Sequence, residues 1–196
     1  MKSNENIIFL DSNVIAGIFA IGKDGQKSRK MEINYEEWGR AINVLINIEK
    51  SSSTPQLRVP TPICYELMSW DKKWYDIVND PKNISYFYYS SFGIGNEYLR
   101  IASKYAYESQ IRIGSDCQSA KMKTMDPLLA AYSIKFGFPI LTENECDFPD
   151  SHFDVVGVEI LKLIGSDKTQ RKHRSILYLL KPKEEVRERW GQIVPR

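Results

Sequence analysis

Ile7-Ile8-Phe9-Leu10-Asp11-Ser12-Asn13-Val14 is the stretch that decides the fold. Four consecutive apolar residues suit a strand buried on both faces, the habit of a parallel sheet covered by helices. The run stops on Asp11, Ser12 and Asn13, residue types that favour helix N-caps and turns. In open α/β sheets, ligands collect at the carboxyl ends of the strands. A carboxylate at that position therefore asks for a chemical role.

Outward from this stretch, strands and helices alternate. Val14–Ile21 reads as a short helix, and Gly22–Lys30 as a basic loop. Asn34 with Glu37 forms a capping box, opening a helix with Trp38, Ile42, Leu45 and Ile46 on one face. Ser51–Pro55 is a polar linker, Leu57–Pro60 a short strand, and Thr61-Pro62 an N-cap followed by proline. The helix that follows carries Glu66 about one turn above the strand end. Ile84–Tyr89 is strand-like, Tyr98–Tyr107 has helical spacing, and Ile111–Met125 is a polar connection. Asp126-Pro127 then caps a helix that Gly137 stops, and Ile140-Leu141-Thr142 is a buried strand. Val155–Leu161 reads as the last strand. This alternation predicts a three-layer α/β/α sandwich with a mainly parallel central sheet.

The 196 residues suffice for one well-cored domain, here residues 1–164, with an appendage at 165–196. The appendage reads as a basic, helical C-terminal extension. From Ser166 onward nine basic residues face four acidic ones, so within an overall charge of +2 the preceding part is acidic. Ile176, Leu177, Leu179, Leu180, Val186 and Trp190 give that extension an apolar face for docking. Cys64, Cys117 and Cys146 are odd in number and widely spaced, which argues against disulfides or a zinc ribbon and for a reducing, cytoplasmic setting. With only His152 and His173, a histidine-based metal site is excluded, as is a Ser-His or Cys-His nucleophile set. No stretch reaches the roughly 18 apolar residues of a membrane span, and the interruption at Asp11–Asn13 does not read as a signal peptide.

Asp11 ends a strand, Glu66 lies just inside a helix, Asp126 begins another, and Asp147 follows Ile140–Thr142. In a parallel sheet such places share one edge. Carboxylates gathered without histidine or thiolate form a site for a hard cation, Mg²⁺ or Mn²⁺, because they otherwise repel and raise one another's pKa. Each residue also has a plain structural use. Asp11 and Asp126 suit N-caps, Glu66 a solvated helix face, and Asp147 a turn. Their order and context distinguish the set.

Asp11-Ser12-Asn13-Val14, Thr61–Leu67 with Glu66, the Asp126 block with Ala130-Ala131, and Leu141-Thr142-Glu143-Asn144-Glu145-Cys146-Asp147-Phe148 together resemble PIN-domain nucleases. The resemblance spans roughly residues 6–164, with Val158–Leu161 matching the closing strand. It implies metal binding and catalysis by Asp11, Glu66 and Asp126, with the fourth position taken by Asn144 or Asp147 and Glu143 nearby. Ser12 and Thr142 match positions that orient the acids, and Asn13 and Asn144 stand among the supporting residues. It further implies Mg²⁺- or Mn²⁺-dependent cleavage of RNA, a homodimer and, as in many VapC-type toxins, a cognate antitoxin. This chain is longer than such toxins around 22–34, 68–125 and 165–196.

An acidic pocket needs flanking cations to hold a polyanion. Lys23 and Arg29 (with Lys27 and Lys30), Lys121 and Lys123, and Arg171, Lys172 and Arg174 (with Lys168) are the RNA-binding candidates. Tyr86, Phe87, Tyr88 and Tyr89 read as core rather than as a stacking platform. Two further readings remain. One is a non-catalytic PIN-like domain that binds RNA or a protein, which a missing fourth acid would favour. The other is a phosphatase of the haloacid-dehalogenase type, disfavoured because the second aspartate it needs is Asn13 here.

Overall fold

A computed structural model describes residues 6–19, 21–26, 35–49, 54–83, 87, 96–113, 125–164 and 172–191. The apolar run forms β1 (Ile7–Leu10), buried at every position. It lies between β2 (Gln56–Arg58) and β3 (Ile140–Thr142) and is parallel to both. Two long strands complete the sheet, β4 (Phe153–Ile164) and β5 (Lys172–Pro182), in the order β2-β1-β3-β5-β4. β5 is antiparallel to both of its neighbours. The sheet is therefore mixed, parallel on one side and antiparallel on the other, where the sequence predicts a mainly parallel one.

The helical extension expected from residue 165 is corrected by β5. This strand sits inside the sheet, between β3 and β4, with Leu177, Leu179 and Leu180 buried and Ile176 exposed. Only the end of the segment is helical, as α7 (Glu184–Gly191). Val155–Leu161 is accordingly neither the full strand nor the last one. It runs in the same direction as β3 but one place further out, because β5 intervenes.

Among the described residues there are six further helices. α1 (Ser12–Phe19) follows β1 directly, and α2 (Tyr35–Ile48) begins where the expected capping box would place it. Asn34 of that box lies outside the described residues. α3 (Thr61–Trp70) starts one residue earlier than expected, with Pro60 in the cap position and no side-chain cap. α4 (Lys72–Asn79) is capped by Asp71, which accepts from the Lys73 N–H at 2.8 Å. α5 (Asn96–Ile113) is longer than its Tyr98–Tyr107 core and takes in the start of the expected connection. α6 (Met125–Phe136) contains Asp126 in its first turn instead of being capped by it. Gly137, at φ +76°, ends α6 as expected, its N–H donating to the Ser133 carbonyl at 2.7 Å. The strand expected over Ile84–Tyr89 lies outside the described residues except for Phe87, which is buried with its ring 6.2 Å from Phe19.

Helix α6 is buried from Asp126 to Ile134, which explains why its sequence is apolar all round. Phe9 of β1 meets Tyr132 at 6.5 Å and Phe136 at 6.3 Å between ring centres, both edge-on. Helix α2 packs close to the other face of the sheet. A Cβ at Gly157 would stand 2.6 Å from Ile48 and 2.8 Å from Leu45, so this glycine lets the helix approach at the β4 bulge. From the same helix, Arg40 donates to the Ile160 carbonyl (3.3 Å) and Glu37 accepts from the Lys162 N–H (3.0 Å). Both are β4 backbone groups that β5 does not use. Arg40 also pairs with Glu37 (3.0 Å) and Glu159 (2.9 Å).

The hairpin of β4 and β5 outruns the rest of the sheet. β3 ends at Thr142, opposite Tyr178, whereas β5 begins at Lys172, opposite Ile164. At about 3.4 Å per residue the two strands project about 20 Å past the end of β3.

Candidate metal centre

The parallel trio brings Asp11 and Thr142 side by side, because Leu10 pairs with Leu141. Asp11 begins where the β1 backbone turns into α1. Its Oδ1 accepts from the Ser12 N–H (2.6 Å) and hydroxyl (3.3 Å), and its Oδ2 accepts from the Thr142 hydroxyl (2.7 Å). The Thr142 oxygen in turn accepts from the Asn144 N–H at 3.0 Å. Ser12 and Thr142 thus hold both oxygens of Asp11. The open first turn of α1 adds a partial positive charge beneath the carboxylate.

Beyond β3 the chain makes a 3₁₀ turn, Glu145–Asp147. The Asn144 side-chain amide donates to Asp147 Oδ2, and the Tyr105 hydroxyl on α5 donates to the Asp147 carbonyl. Tyr105 is fully buried, with its ring against Phe153 and Trp190. The aspartate is held from both ends. Sequence reasoning missed Tyr105, whose signal was a phenol on an otherwise apolar helix stripe, since a buried tyrosine hydroxyl seeks a partner.

Asp126 reports the company it keeps. Burial, then the charges of Asp147, Asp11 and Glu66, and a hydrogen bond with Asp147, push its carboxyl up to about 8. All four acids are buried, none more than 8% exposed. Near neutral pH the Asp126 carboxyl is therefore held in its protonated form, hydrogen-bonded to Asp147. The structure brings Asp11, Glu66 and Asp147 within electrostatic reach of Asp126. Asn144 is a donor to Asp147, and Asp147 is the carboxylate of the two that Asp126 feels. Among the described residues, no three His, Cys, Asp or Glu side chains are closed round a point that could hold an ion.

The donor set is all oxygen and anionic, which suits a hard divalent cation. The repulsion recorded at Asp126 is what such a cation would relieve. Asp11, Glu66, Asp126 and Asp147 are the residues that would hold it.

The remaining candidates scatter. Asn13 is half-buried on α1. Glu143 accepts from the Ser175 hydroxyl at 2.5 Å, and Glu145 lies beside Tyr178, whose phenol is raised by burial and by that charge. Lys23 is exposed, its ammonium 4.6 Å from the Trp70 ring centre. Arg174 is exposed on β5. Arg29, Lys121, Lys123, Arg171 and the Lys172 side chain lie outside the described residues, as do Lys27, Lys30, Lys168, Tyr86, Tyr88 and Tyr89. His152 is buried. Its Nε2 is 3.1 Å from Glu108, its Nδ1 is 2.7 Å from Ser151, and its ring packs on Tyr105. Cys64 is buried and Cys146 exposed, and among the described residues neither forms a disulfide. Among the described residues, no helix is long and apolar enough to cross a membrane.

Comparison of the chain with protein-family models, with curated proteins and with solved structures finds no match. The reading of the site rests on its own chemistry.

Proposed function

We propose that this protein is a PIN-like endoribonuclease that uses Mg²⁺ or Mn²⁺ to hydrolyse RNA phosphodiester bonds. The observation that carries the reading is that four buried carboxylates, from a strand end, two helices and a 3₁₀ turn, lie close enough for Asp126 to feel the other three. Placing four carboxylates together costs stability, and a structural role does not require it. The reading includes a three-layer architecture. In support, α6 packs on the Phe9 face of the sheet, while α2 packs on the face of Gly157 and Leu179.

When bound, the divalent ion supplies Lewis acidity, activating a water near neutral pH and offsetting charge that develops at phosphorus. The chain's own residues do the rest. Ser12 and Thr142 fix both oxygens of Asp11, while Asn144 and Tyr105 fix Asp147. Asp126, protonated near neutral pH, would have to give up that proton to hold a cation, so cation binding would release a proton. Water attacks in line and the P–O3′ bond breaks, leaving a 5′-phosphate and a 3′-hydroxyl. No covalent intermediate is needed.

The test is cleavage of a labelled RNA in Mn²⁺ by Asp11→Asn and Asp126→Asn. Each is expected to lose more than about 100-fold in rate, since even the outer partners of metal ligands are worth about 10- to 100-fold. Circular dichroism should show the fold retained. Wild-type rates in both variants would sink the assignment. Absence of Mn²⁺ binding by calorimetry at neutral pH would leave only a domain that holds RNA without cutting it.

A further inference from the structure

The projecting β4–β5 hairpin has two unlike faces. Leu177 and Leu179 on one face are buried towards α2. The opposite face is bare. Val158 and Ile160 are nearly half exposed, at 48% and 47%, and Ile176 is exposed at 39%. Residues directly opposite in an antiparallel ladder project to the same face. Thr142, Tyr178 and Val158 therefore form one row across β3, β5 and β4. Ile176 with Ile160 forms the next row, and Arg174 with Lys162 the one after. The strip begins beside the threonine that holds Asp11 and climbs about 14 Å to a pair of cations.

That cation pair is the second observation. Like charges directly opposite on a ladder destabilise it. Arg174 and Lys162 face each other, both exposed, and among the described residues neither makes a salt bridge. Glu37 feels the Lys162 charge but hydrogen-bonds to its backbone N–H. An anion lying between the two side chains would turn the repulsion into attraction. The acid cluster repels a polyanion, so any such ligand needs cations next to it. An apolar floor with an aromatic ring at its foot suits unstacked bases and sugars, which a duplex keeps to itself.

We propose that this strip is the track for the substrate strand. Single-stranded RNA lies along the bare hairpin face, with phosphate between Lys162 and Arg174, sugars and bases on Ile160 and Ile176, and Tyr178 leading it to the acid edge. The proposal rests on the nuclease reading but is tested apart from it.

The experiment measures fluorescence anisotropy of a labelled single-stranded RNA with the full chain in EDTA, where nothing is cut. The double variant Lys162→Glu/Arg174→Glu is expected to bind at least about tenfold more weakly, with a salt dependence shallower by about 1.4 in log–log slope. Lys162→Arg/Arg174→Lys is expected to bind as wild type does. Thermal melts of both variants should overlay the wild type, because both positions are exposed. Cleavage that persists while the charge-reversed variant binds RNA like wild type would overturn the track and leave the nuclease reading standing. Strip-dependent binding without any metal-dependent cleavage would do the reverse. Equal binding of duplex RNA would overturn the track. So would a dimer that Ile176→Glu converts to a monomer in sedimentation, which would make the face a contact between two copies of the chain.

Discussion

The sheet is built by two different methods. The parallel trio β2-β1-β3 is made of strands of three or four residues, with β1 and β3 buried throughout. The antiparallel pair is made of strands of twelve and eleven residues that, past the end of β3, bury one side and show the other. The first method places functional groups. Short strands end together, and the residues just beyond them converge. The second method provides reach, because a hairpin satisfies its own backbone and can extend past its neighbours. On the proposed function, chemistry belongs to the first region and substrate contact to the second.

The largest expected effect comes from breaking the link between them. A chain ended after Ile164 loses β5, which separates β3 from β4 and buries Leu177, Leu179 and Leu180. No cooperative melt is expected by circular dichroism. A sharp transition would mean that residues 1–164 fold alone and that the hairpin is an accessory.

The next effect concerns charge in the parallel region. With its carboxyl at about 8, well above the unfolded value, Asp126 binds more protons folded than unfolded between those limits. Metal-free protein should therefore lose stability as pH rises from about 4 to about 8, with no loss from this group below that range. Asp126→Asn should flatten the trend, and added Mn²⁺ should offset it at the alkaline end. Melting temperatures in EDTA between these limits measure all three. An unchanged slope in the variant would put the burden on another group.

Smaller still is Tyr105→Phe, which removes only the donor to the Asp147 carbonyl. Urea unfolding should show a loss of about 1 kcal/mol. Mn²⁺ affinity by calorimetry should fall with it as the 3₁₀ turn loosens. A stability loss with unchanged affinity would assign Tyr105 to the core alone.

What the sequence revealed follows the same division. Ile7–Leu10 and Ile140–Thr142 were legible because strands buried on both faces are uninterrupted apolar runs ended by polar residues. The four acids were legible because their places relative to those strands decide where they meet. β5 was not. Ile176, Leu177, Leu179 and Leu180 fit a helical stripe as well as a strand. Only the ladder with β4, formed across the intervening residues 165–171, decides between them. Asp126 misled in a smaller way, since an aspartate before a proline is what a helix cap looks like. Its burial among three acids is tertiary information. Tyr105 and Lys162 act through partners remote in the chain, and local pattern is silent on such pairs.

The contact of α2 with β4 bears on the outer edge of the sheet. Glu37 and Arg40 occupy the backbone N–H of Lys162 and carbonyl of Ile160, which would otherwise be open on an outermost strand of twelve residues. A strand from another molecule arriving there finds its hydrogen-bonding positions taken by a carboxylate and a guanidinium. Lateral growth at that point of this edge, the usual route to fibrils, is disfavoured by a single helical turn.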